Sequence, residues 1–231
     1  MAESVLIVGA GRGLSASLAR VFAREKFQIL LAARTTAKLA PLVQETGATA
    51  FACDAGVREQ VESLFGALEK KGVVPDLVVF NAGYRVRGPL VELDPIEVQR
   101  TLLASSFAGF LVGQAAAKRM LPRGSGAIFF TGASASVKGY ANSAPFAMGK
   151  FALRGLAQSM ARELSPQGLH IAHFVIDGAI RHGPDDPRAA ERGTDGLLLP
   201  DEIAKTYLHV YRQHRSAWSW EIELRPWVEK F

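Results

Sequence analysis

The stretch VGAGRGLSASLA, residues 8–19, decides the fold class of this chain. Gly9, Gly11 and Gly13 follow the apolar run SVLIV and precede a segment with helical periodicity. Such a turn lets backbone amides approach a phosphate, and the dipole of the following helix favours the phosphate's negative charge. The stretch therefore predicts a strand, a tight turn and a helix that together bind a phosphorylated ligand.

Short apolar runs alternate with helix-period segments along the rest of the chain. The runs are rich in Val, Ile, Leu and Phe, and they read SVLIVGA, FQILLAAR, ATAFACD, DLVVFNAG, GAIFFTG and LHIAHFVIDG. Helices are expected near residues 13–26, 36–46, 57–71, 95–121 and 145–165. A parallel crossover needs a connection about as long as a helix. The pattern therefore predicts a single-domain α/β fold over residues 1–231, a doubly wound parallel sheet of the Rossmann type.

Composition excludes several other classes of protein. The chain has 231 residues, of which 48% are hydrophobic, and this suits one compact domain. No apolar run approaches the roughly 20 residues that cross a bilayer, and Glu3 stands where a signal peptide carries basic charge. We therefore expect a cytoplasmic protein with no membrane partner. The net charge of +5 is dispersed, without the basic run that nucleic-acid binding favours, and an anionic small ligand accounts for it equally well.

The single cysteine, Cys53, cannot form an internal disulfide, and its surroundings offer no metal-ligand spacing. A small buried residue at a strand end is its simplest interpretation. The irregular segment from Gly178 to Pro200 is rich in Gly, Pro and charge. It is either a surface loop or a substrate lid over a site at the carboxyl ends of the strands.

Several ordered motifs resemble those of the short-chain dehydrogenase/reductase family. Gly9-x3-Gly13-x-Ser15 is similar to the family's glycine turn, with Ser15 in place of the last glycine. CDA at 53–55, NAG at 81–83, FAMGK at 146–150, RELSPQGLHIAHFVIDGAI and EIELRPW follow in the family's order. The resemblance covers essentially the whole chain. It implies a nicotinamide cofactor whose contacts fall on Gly9, Gly11, Arg12, Gly13, Leu14, Arg34, Cys53, Asp54, Ala55, Asn81, Ala82, Gly83, Lys150, Gly178 and Ile180.

Charge favours NADP(H) over NAD(H). In such folds an acidic residue at the end of the second strand receives the ribose hydroxyls of NAD, and a basic one accommodates the extra phosphate of NADP. Ala33 and Arg34 stand there, and Arg12 lies in the glycine turn. Two guanidiniums near one ribose favour a 2′-phosphate through charge-assisted hydrogen bonds. Two ordinary surface arginines are the alternative.

The catalytic positions depart from the family pattern. The resemblance implies a tyrosine that moves a proton, a lysine one helical turn later, a serine that holds the substrate oxygen and an asparagine in a water relay. The lysine is kept as Lys150, whereas Phe146 stands at the tyrosine position and has no proton to offer. The serine position falls at Ala133 or, if the loop shifts by one residue, at Ser134. The asparagine position is assigned to Ser106.

Other proton donors would have to replace the tyrosine. Ser134, Ser136, Tyr140, Ser143 and His182 are the candidates, each with a plain structural role as its alternative. His170 and His173 occupy opposite faces of one strand and are given no role. Asp177 replaces the proline of the family's Pro-Gly turn.

Two long helices, SSFAGFLVGQAAAKRM and APFAMGKFALRGLAQSMAREL, present small and apolar residues on more than one face. Such helices lie in a core or pack against another subunit, and the family resemblance favours a homodimer or homotetramer. Three functions remain: an NADP(H)-dependent oxidoreductase with a small-molecule carbonyl or alcohol substrate, a redox-inactive NADP(H)-binding sensor or regulatory protein, and a scaffold without a ligand. We expect the first.

Overall fold

The structure, a computed structural model, describes residues 2–193 and 195–229. In this part of the chain seven strands form one parallel sheet in the order β3-β2-β1-β4-β5-β6-β7. The strands are β1 Ser4–Val8, β2 Gln28–Ala33, β3 Thr49–Ala52, β4 Leu77–Phe80, β5 Gly126–Thr131, β6 Leu169–Ile176 and β7 Glu221–Leu224. The predicted doubly wound parallel sheet is confirmed.

The helices connect successive strands and cover both faces of the sheet. They are α1 Leu14–Arg24, α2 Ala40–Thr46, α3 Arg58–Glu69, α4 Pro95–Leu102, α5 Ala108–Met120, α6 Ala144–Leu164, α7 Arg188–Arg192 and α8 Pro200–Tyr211. Short 3-10 turns occur at Thr36–Leu39, Leu90–Glu92, Leu121–Arg123, Ser134–Ser136, Ser165–Gln167 and Arg215–Ala217.

The predicted helical segment 95–121 is helical without a break, but the π-helical turn Leu103–Phe107 separates α4 from α5 and changes which side chains face inward. The helix α8 is not among the predicted helices, although Pro200 opens it, Asp201 and Glu202 lie in its first turn, and its apolar residues recur with helical spacing.

Each face of the sheet has its own apolar core. Residues of α3, α5 and α6 pack on one face, with Phe65, Phe80 and Phe130 among the buried side chains. Residues of α1 and α8 pack on the other face, with Phe22 and Tyr207. Strands covered on both sides are apolar at nearly every position, as burial by two helical layers requires.

The chain reverses its direction of travel across the sheet between β1 and β4. The residues after these strands are in close contact, since a Cβ added to Gly9 would lie 2.5 Å from both the Cα and the N of Ala82. The Asn81 amide donates to the Val8 carbonyl at 2.8 Å. Ser15 links the two segments, because its Oγ donates to the Gly9 carbonyl at 3.1 Å and accepts from Asn81 Nδ2 at 2.7 Å. Ser15 thus connects the glycine turn to the Asn81 loop.

The segment 178–200 follows the carboxyl end of β6, and hydrogen bonds connect its two ends. Leu198 donates its amide to the Ala179 carbonyl at 2.9 Å, and Arg181 donates its amide to the Leu198 carbonyl at 2.9 Å. Buried Asp186 accepts from the His182 amide at 2.8 Å and from Arg188 Nη2 at 2.6 Å. The predicted segment also includes Thr194, which lies outside the described residues.

No helix in residues 2–193 and 195–229 has the length and apolar character needed to cross a bilayer.

Replacing Gly9 with alanine tests the contact between the two segments. Gly9 has a φ of 83°, and the new Cβ would overlap the Ala82 backbone. We expect Gly9→Ala to lower the free energy of unfolding by about 2–4 kcal/mol in urea denaturation. Gly11→Ala is the matched control, since nothing lies within 4 Å of a Cβ at Gly11. Equal stability of the two variants would contradict the prediction.

Candidate active site

Two cavities lie along the carboxyl edge of the sheet and share one wall. Their volumes are about 410 and 570 Å³, and Asn81, Ala82, Gly83 and Tyr84 line both of them. The first extends from the shared wall toward β2 and β3, and the second toward β5, β6 and the segment 178–200. The edge of the sheet at which its topology reverses is where open α/β folds bind their ligands.

The first cavity contains most of the residues predicted at the adenosine end of a cofactor. Gly9, Arg34, Cys53, Asp54, Ala55, Asn81, Ala82 and Gly83 line it. The Asp54 carboxylate accepts the Gly56 amide at 3.0 Å, and the Asp54 amide donates to Gln60 Oε1 at 2.7 Å. The loop after β3 is therefore held in place by its own hydrogen bonds.

Four predicted residues of the glycine turn line neither cavity: Gly11, Arg12, Gly13 and Leu14. Leu14, the first residue of α1, is buried in the core, and Arg12 is exposed. Open space surrounds the Cβ positions of Gly11 and Gly13. This part of the turn forms an open surface next to the first cavity.

Arg100 lines the first cavity but was missed by the sequence analysis. Its Cζ lies 4.4 Å from the centre of the Tyr84 ring, and the Tyr84 hydroxyl donates to Glu97 Oε2 at 2.6 Å. Arg100 therefore adds a second guanidinium to the cavity that contains Arg34. The sequence does not show that Arg100 lines a cavity, because the other residues of the cavity wall come from segments distant from Arg100 in the chain.

Lys150 is buried at the base of the second cavity. Its Nζ donates to the Thr131 carbonyl at 2.7 Å, at the end of β5. Burial lowers the pKa of Lys150 to about 8. The Thr131 hydroxyl in turn forms a hydrogen bond of 2.9 Å with the buried Tyr207 hydroxyl of α8.

Phe146 contacts two cations in the second cavity. Lys150 Nζ is 5.9 Å from the centre of its ring, and Arg85 Cζ is 4.6 Å from the same centre. The electron-rich ring face attracts cations at such distances. Since Phe146 has no hydroxyl, the ring contributes packing and cation–π contact but no proton.

The loop after β5 brings two of the five candidate proton donors to the second cavity, Ser134 and Tyr140. Ala133 lines the cavity as well, so both alternatives for the serine position reach it. Ser136 and Ser143 are buried, and Ser136 Oγ accepts the Ala133 amide at 3.1 Å. His182 is exposed and lines neither cavity.

In the π-helical turn, the Ser105 side chain faces inward, whereas the Ser106 hydroxyl forms a hydrogen bond within its own helix. Ser106 Oγ donates to the Leu102 carbonyl at 3.0 Å, within its own helix, and Ser106 lines neither cavity. Ser105 is fully buried, and its Oγ has no hydrogen-bond partner among the described residues. A Cβ at Gly149 would lie 3.0 Å from Ser105 Cβ, and one at Gly83 would lie 3.8 Å from Ser105 Oγ. Ser105 therefore lies between the Asn81 loop and α6.

Asp177 lines the second cavity and is buried at the end of β6. It forms ion pairs with Lys138 at 3.1 Å and with Arg225 at 2.9 Å. Ion pairs of this kind allow a carboxylate to be buried at this position. Gly178 and Ile180, both predicted cofactor contacts, follow it in the same cavity wall.

The two strand histidines lie on opposite faces of β6, as predicted. His170 stacks on Trp218, with ring centres 4.7 Å apart. His173 is fully buried beside Gly132, and its Nδ1 lies 3.1 Å from Glu221 Oε2. Burial is the main reason that the pKa of His173 falls to about 4, so its imidazole is neutral at pH 7.

Cys53 is buried, and burial raises the pKa of its thiol to about 11. Its thiol is therefore unreactive at neutral pH. The described residues contain no cluster of His, Cys, Asp and Glu that could hold a metal ion.

Known proteins similar to this chain share its fold over nearly its whole length. A short-chain dehydrogenase structure from Rhodopseudomonas palustris is 35% identical, with a TM-score of 0.83 over 97% of this chain and 99% of that one. A metagenomic short-chain oxidoreductase in complex with NADP is 25% identical, with a TM-score of 0.83 over 99% of both chains. The cyclic-di-GMP-binding biofilm dispersal mediator protein of Escherichia coli K12 is 30% identical over 188 residues, which are 81% of this chain and 75% of that protein.

The family model described as short chain dehydrogenase matches residues 3–180. These residues contain the glycine turn, the shared cavity wall, Phe146 and Lys150. The chain therefore belongs to the short-chain dehydrogenase family.

Proposed function

We propose that the protein is an NADP(H)-dependent oxidoreductase that acts on a small carbonyl or alcohol substrate. The observation that carries the proposal is the pair of adjoining cavities, with Gly9 at one end and buried Lys150 at the other. Their total extent suits an extended dinucleotide with room for a substrate beside it. The NADP complex of the metagenomic relative supports this choice of cofactor.

The first cavity holds the adenosine half of the cofactor. Arg34 and Arg100 offer guanidiniums to the 2′-phosphate, with Arg12 on the open side of the turn. Asp54, Cys53 and Ala55 lie at the adenine. Because Gly9 has no side chain, the glycine turn lies close to the Ala82 backbone. The cofactor's phosphates would therefore contact backbone amides instead of side chains.

The second cavity holds the reacting end, where the bound cofactor supplies or accepts a hydride. Lys150 adds positive charge beside the nicotinamide ribose, and its ammonium is oriented by the Thr131 carbonyl. Ser134, on the loop after β5, donates its hydroxyl to the substrate oxygen. Because Phe146 cannot move a proton, water or Tyr140 at the same cavity transfers it. The family's asparagine position is assigned to Ser106, and the neighbouring Ser105, buried with no hydrogen-bond partner for its Oγ among the described residues, is a second candidate for it.

The segment 178–200 serves as a substrate lid. Its Gly178 end lines the second cavity, as does Arg192 of α7, which forms an ion pair of 3.2 Å with Glu229. Opening the lid requires this exposed pair to separate, and exposed pairs of this kind contribute little stability.

The protein assembles as a homodimer or homotetramer through α4, α5 and α6. Six large apolar residues of these helices and the π turn are exposed: Ile96, Leu103, Phe107, Phe110, Met148 and Phe151. Phe107 and Phe110 stack with ring centres 6.2 Å apart. Contiguous exposed apolar side chains of this size favour burial against a second copy.

A redox-inactive NADP(H)-binding sensor is the second candidate, and Phe146 is the observation that favours it. A missing general acid costs on the order of 10²–10⁴ in rate. Binding of the cofactor does not need the tyrosine hydroxyl, so a protein with this site can bind NADP(H) without turning it over.

Replacing Phe146 with tyrosine separates the two candidates. The ring and its contacts with Arg85 and Lys150 are retained, and a proton donor is added. We expect Phe146→Tyr to increase the rate of NADPH oxidation with a panel of carbonyl compounds by about 10²-fold or more. The control, Phe146→Leu, should not increase this rate.

A wild-type enzyme faster than Phe146→Tyr would show that the proton comes from another group. Micromolar NADPH binding without turnover in either protein would support the sensor.

Replacing Arg34 with glutamine tests the choice of cofactor. Loss of charge-assisted hydrogen bonds to the 2′-phosphate should raise the dissociation constant for NADPH by about 10–100-fold and leave that for NADH nearly unchanged. Titration calorimetry measures both. Arg24→Gln, at the opposite end of α1, is the control. An equal loss for both cofactors would argue against a phosphate contact.

The lowered pKa of Lys150 predicts a pH-dependent affinity for NADPH. As pH rises through about 8, the free protein loses the ammonium charge, so the dissociation constant should increase by about tenfold. Lys150→Met should bind more weakly at pH 7 and lack the inflection near pH 8. The same pH profile in both proteins would exclude Lys150 as the titrating group.

A further inference from the structure

Arg85 and Arg87 follow the shared wall of the two cavities and both line the second one. They lie in an extended segment between β4 and the 3-10 turn at Leu90, and the Gly88 amide donates to the Asn142 carbonyl at 3.1 Å. The segment is therefore attached to the loop that leads into α6. Both arginines are exposed, so their guanidiniums are accessible to a molecule that enters the cavity from solvent.

The acids of the second cavity already have cationic partners. Asp177 forms ion pairs with Lys138 and Arg225, and Glu229 forms one with Arg192. Among the described residues, neither Arg85 nor Arg87 forms an ion pair with a carboxylate. The cavity thus has two guanidiniums whose charge the protein does not balance.

Arg85 is positioned by the ring of Phe146. Its Cζ lies 4.6 Å from the ring centre, whereas Lys150 Nζ lies 5.9 Å from it. The contact with the ring face uses none of the guanidinium's N–H donors. A small molecule whose oxyanion is bound to Arg85 could therefore place its other end near Lys150.

Repulsion between the two arginines is a second sign that an anion belongs here. Burial and the neighbouring Arg87 lower the pKa of Arg85. The repulsion between two neighbouring positive charges is offset when an anion binds between them. Neither arginine lines the first cavity, which adjoins the glycine turn, so the cofactor's 2′-phosphate lies elsewhere.

We propose that Arg85 and Arg87 bind an oxyanionic group of the substrate, a carboxylate or a phosphate, a few bonds from its carbonyl carbon. The inference rests on the proposed function for the carbonyl and adds the chemical class of the substrate: oxo acids or oxo phosphates instead of neutral ketones. Arg85 is the stronger determinant, because Phe146 holds its guanidinium near Lys150. Arg87 contributes mainly its charge.

Matched pairs of probes test this class. The protein with NADP⁺ bound is titrated calorimetrically with levulinate and methyl levulinate, and with dihydroxyacetone phosphate and dihydroxyacetone. Oxo acids of three to ten carbons and their methyl esters extend the series. We expect at least one anion to bind about tenfold or more tightly than its neutral partner, with a preference that decreases as salt rises. The pair that shows the preference distinguishes carboxylate from phosphate.

Variants assign the preference to the two arginines. Arg85→Gln should reduce the preference for the anion by about tenfold or more, and Arg87→Gln by less. Arg85→Lys should retain part of it, because the charge remains but the forked donor is lost. Arg24→Gln, far from the cavity, is the control and should not change it. Binding of NADPH itself should stay within a few-fold of wild type in all four variants.

Equal binding of the charged and neutral members of every pair would overturn the proposal, as would an anion preference that survives in both glutamine variants. Failure of NADPH to bind would defeat the proposed function instead. In that case the protection of the cofactor-free protein from melting by the same probes still decides whether Arg85 and Arg87 form an anion site.

Discussion

The backbone contact between Gly9 and Ala82 is the constraint on which the rest of the site depends. It joins the segments that leave β1 and β4, where the sheet reverses its direction, and a side chain at Gly9 would separate them. The Ser15 hydroxyl connects the same segments through the Gly9 carbonyl and Asn81. Because Asn81 and Ala82 line both cavities, this contact determines how the two halves of the site meet.

The second cavity combines an apolar ring with several cations. Burying an ammonium is unfavourable, and the Thr131 carbonyl offsets part of the cost for Lys150. Arg85 and Lys150 both lie within about 6 Å of the centre of the Phe146 ring, at 4.6 and 5.9 Å, so one aromatic ring interacts with both charges. Asp177 balances Lys138 and Arg225 at the opposite wall. The two acids that line this cavity, Asp177 and Glu229, are therefore both paired with cations, whereas Arg85 and Arg87 form no ion pair among the described residues.

Most of the fold was predictable from the sequence because its signals are local. The strand runs were recognised from Val, Ile, Leu and Phe, and the helices between them imply parallel crossovers. The helix α8 was also predictable, since Pro200 and the acids after it mark its start. The position of Ser105 was not, because the π-helical turn adds an offset that counting along a regular helix does not reveal. Arg85 and Arg100 could not be placed either, since their neighbours in the cavities belong to distant segments.

The sequence by itself determined the family, the parallel α/β architecture, the presence of Arg34 directly after β2, and a phenylalanine, Phe146, one helical turn before Lys150. These properties depend on residue identity and on spacing between near neighbours in the chain. Only the tertiary structure decided that Ser105 faces inward, that Asp177 is neutralised by Lys138 and Arg225, and that Arg85 lies against Phe146. Those contacts join residues from different elements, so they depend on how the helices and loops pack around the sheet.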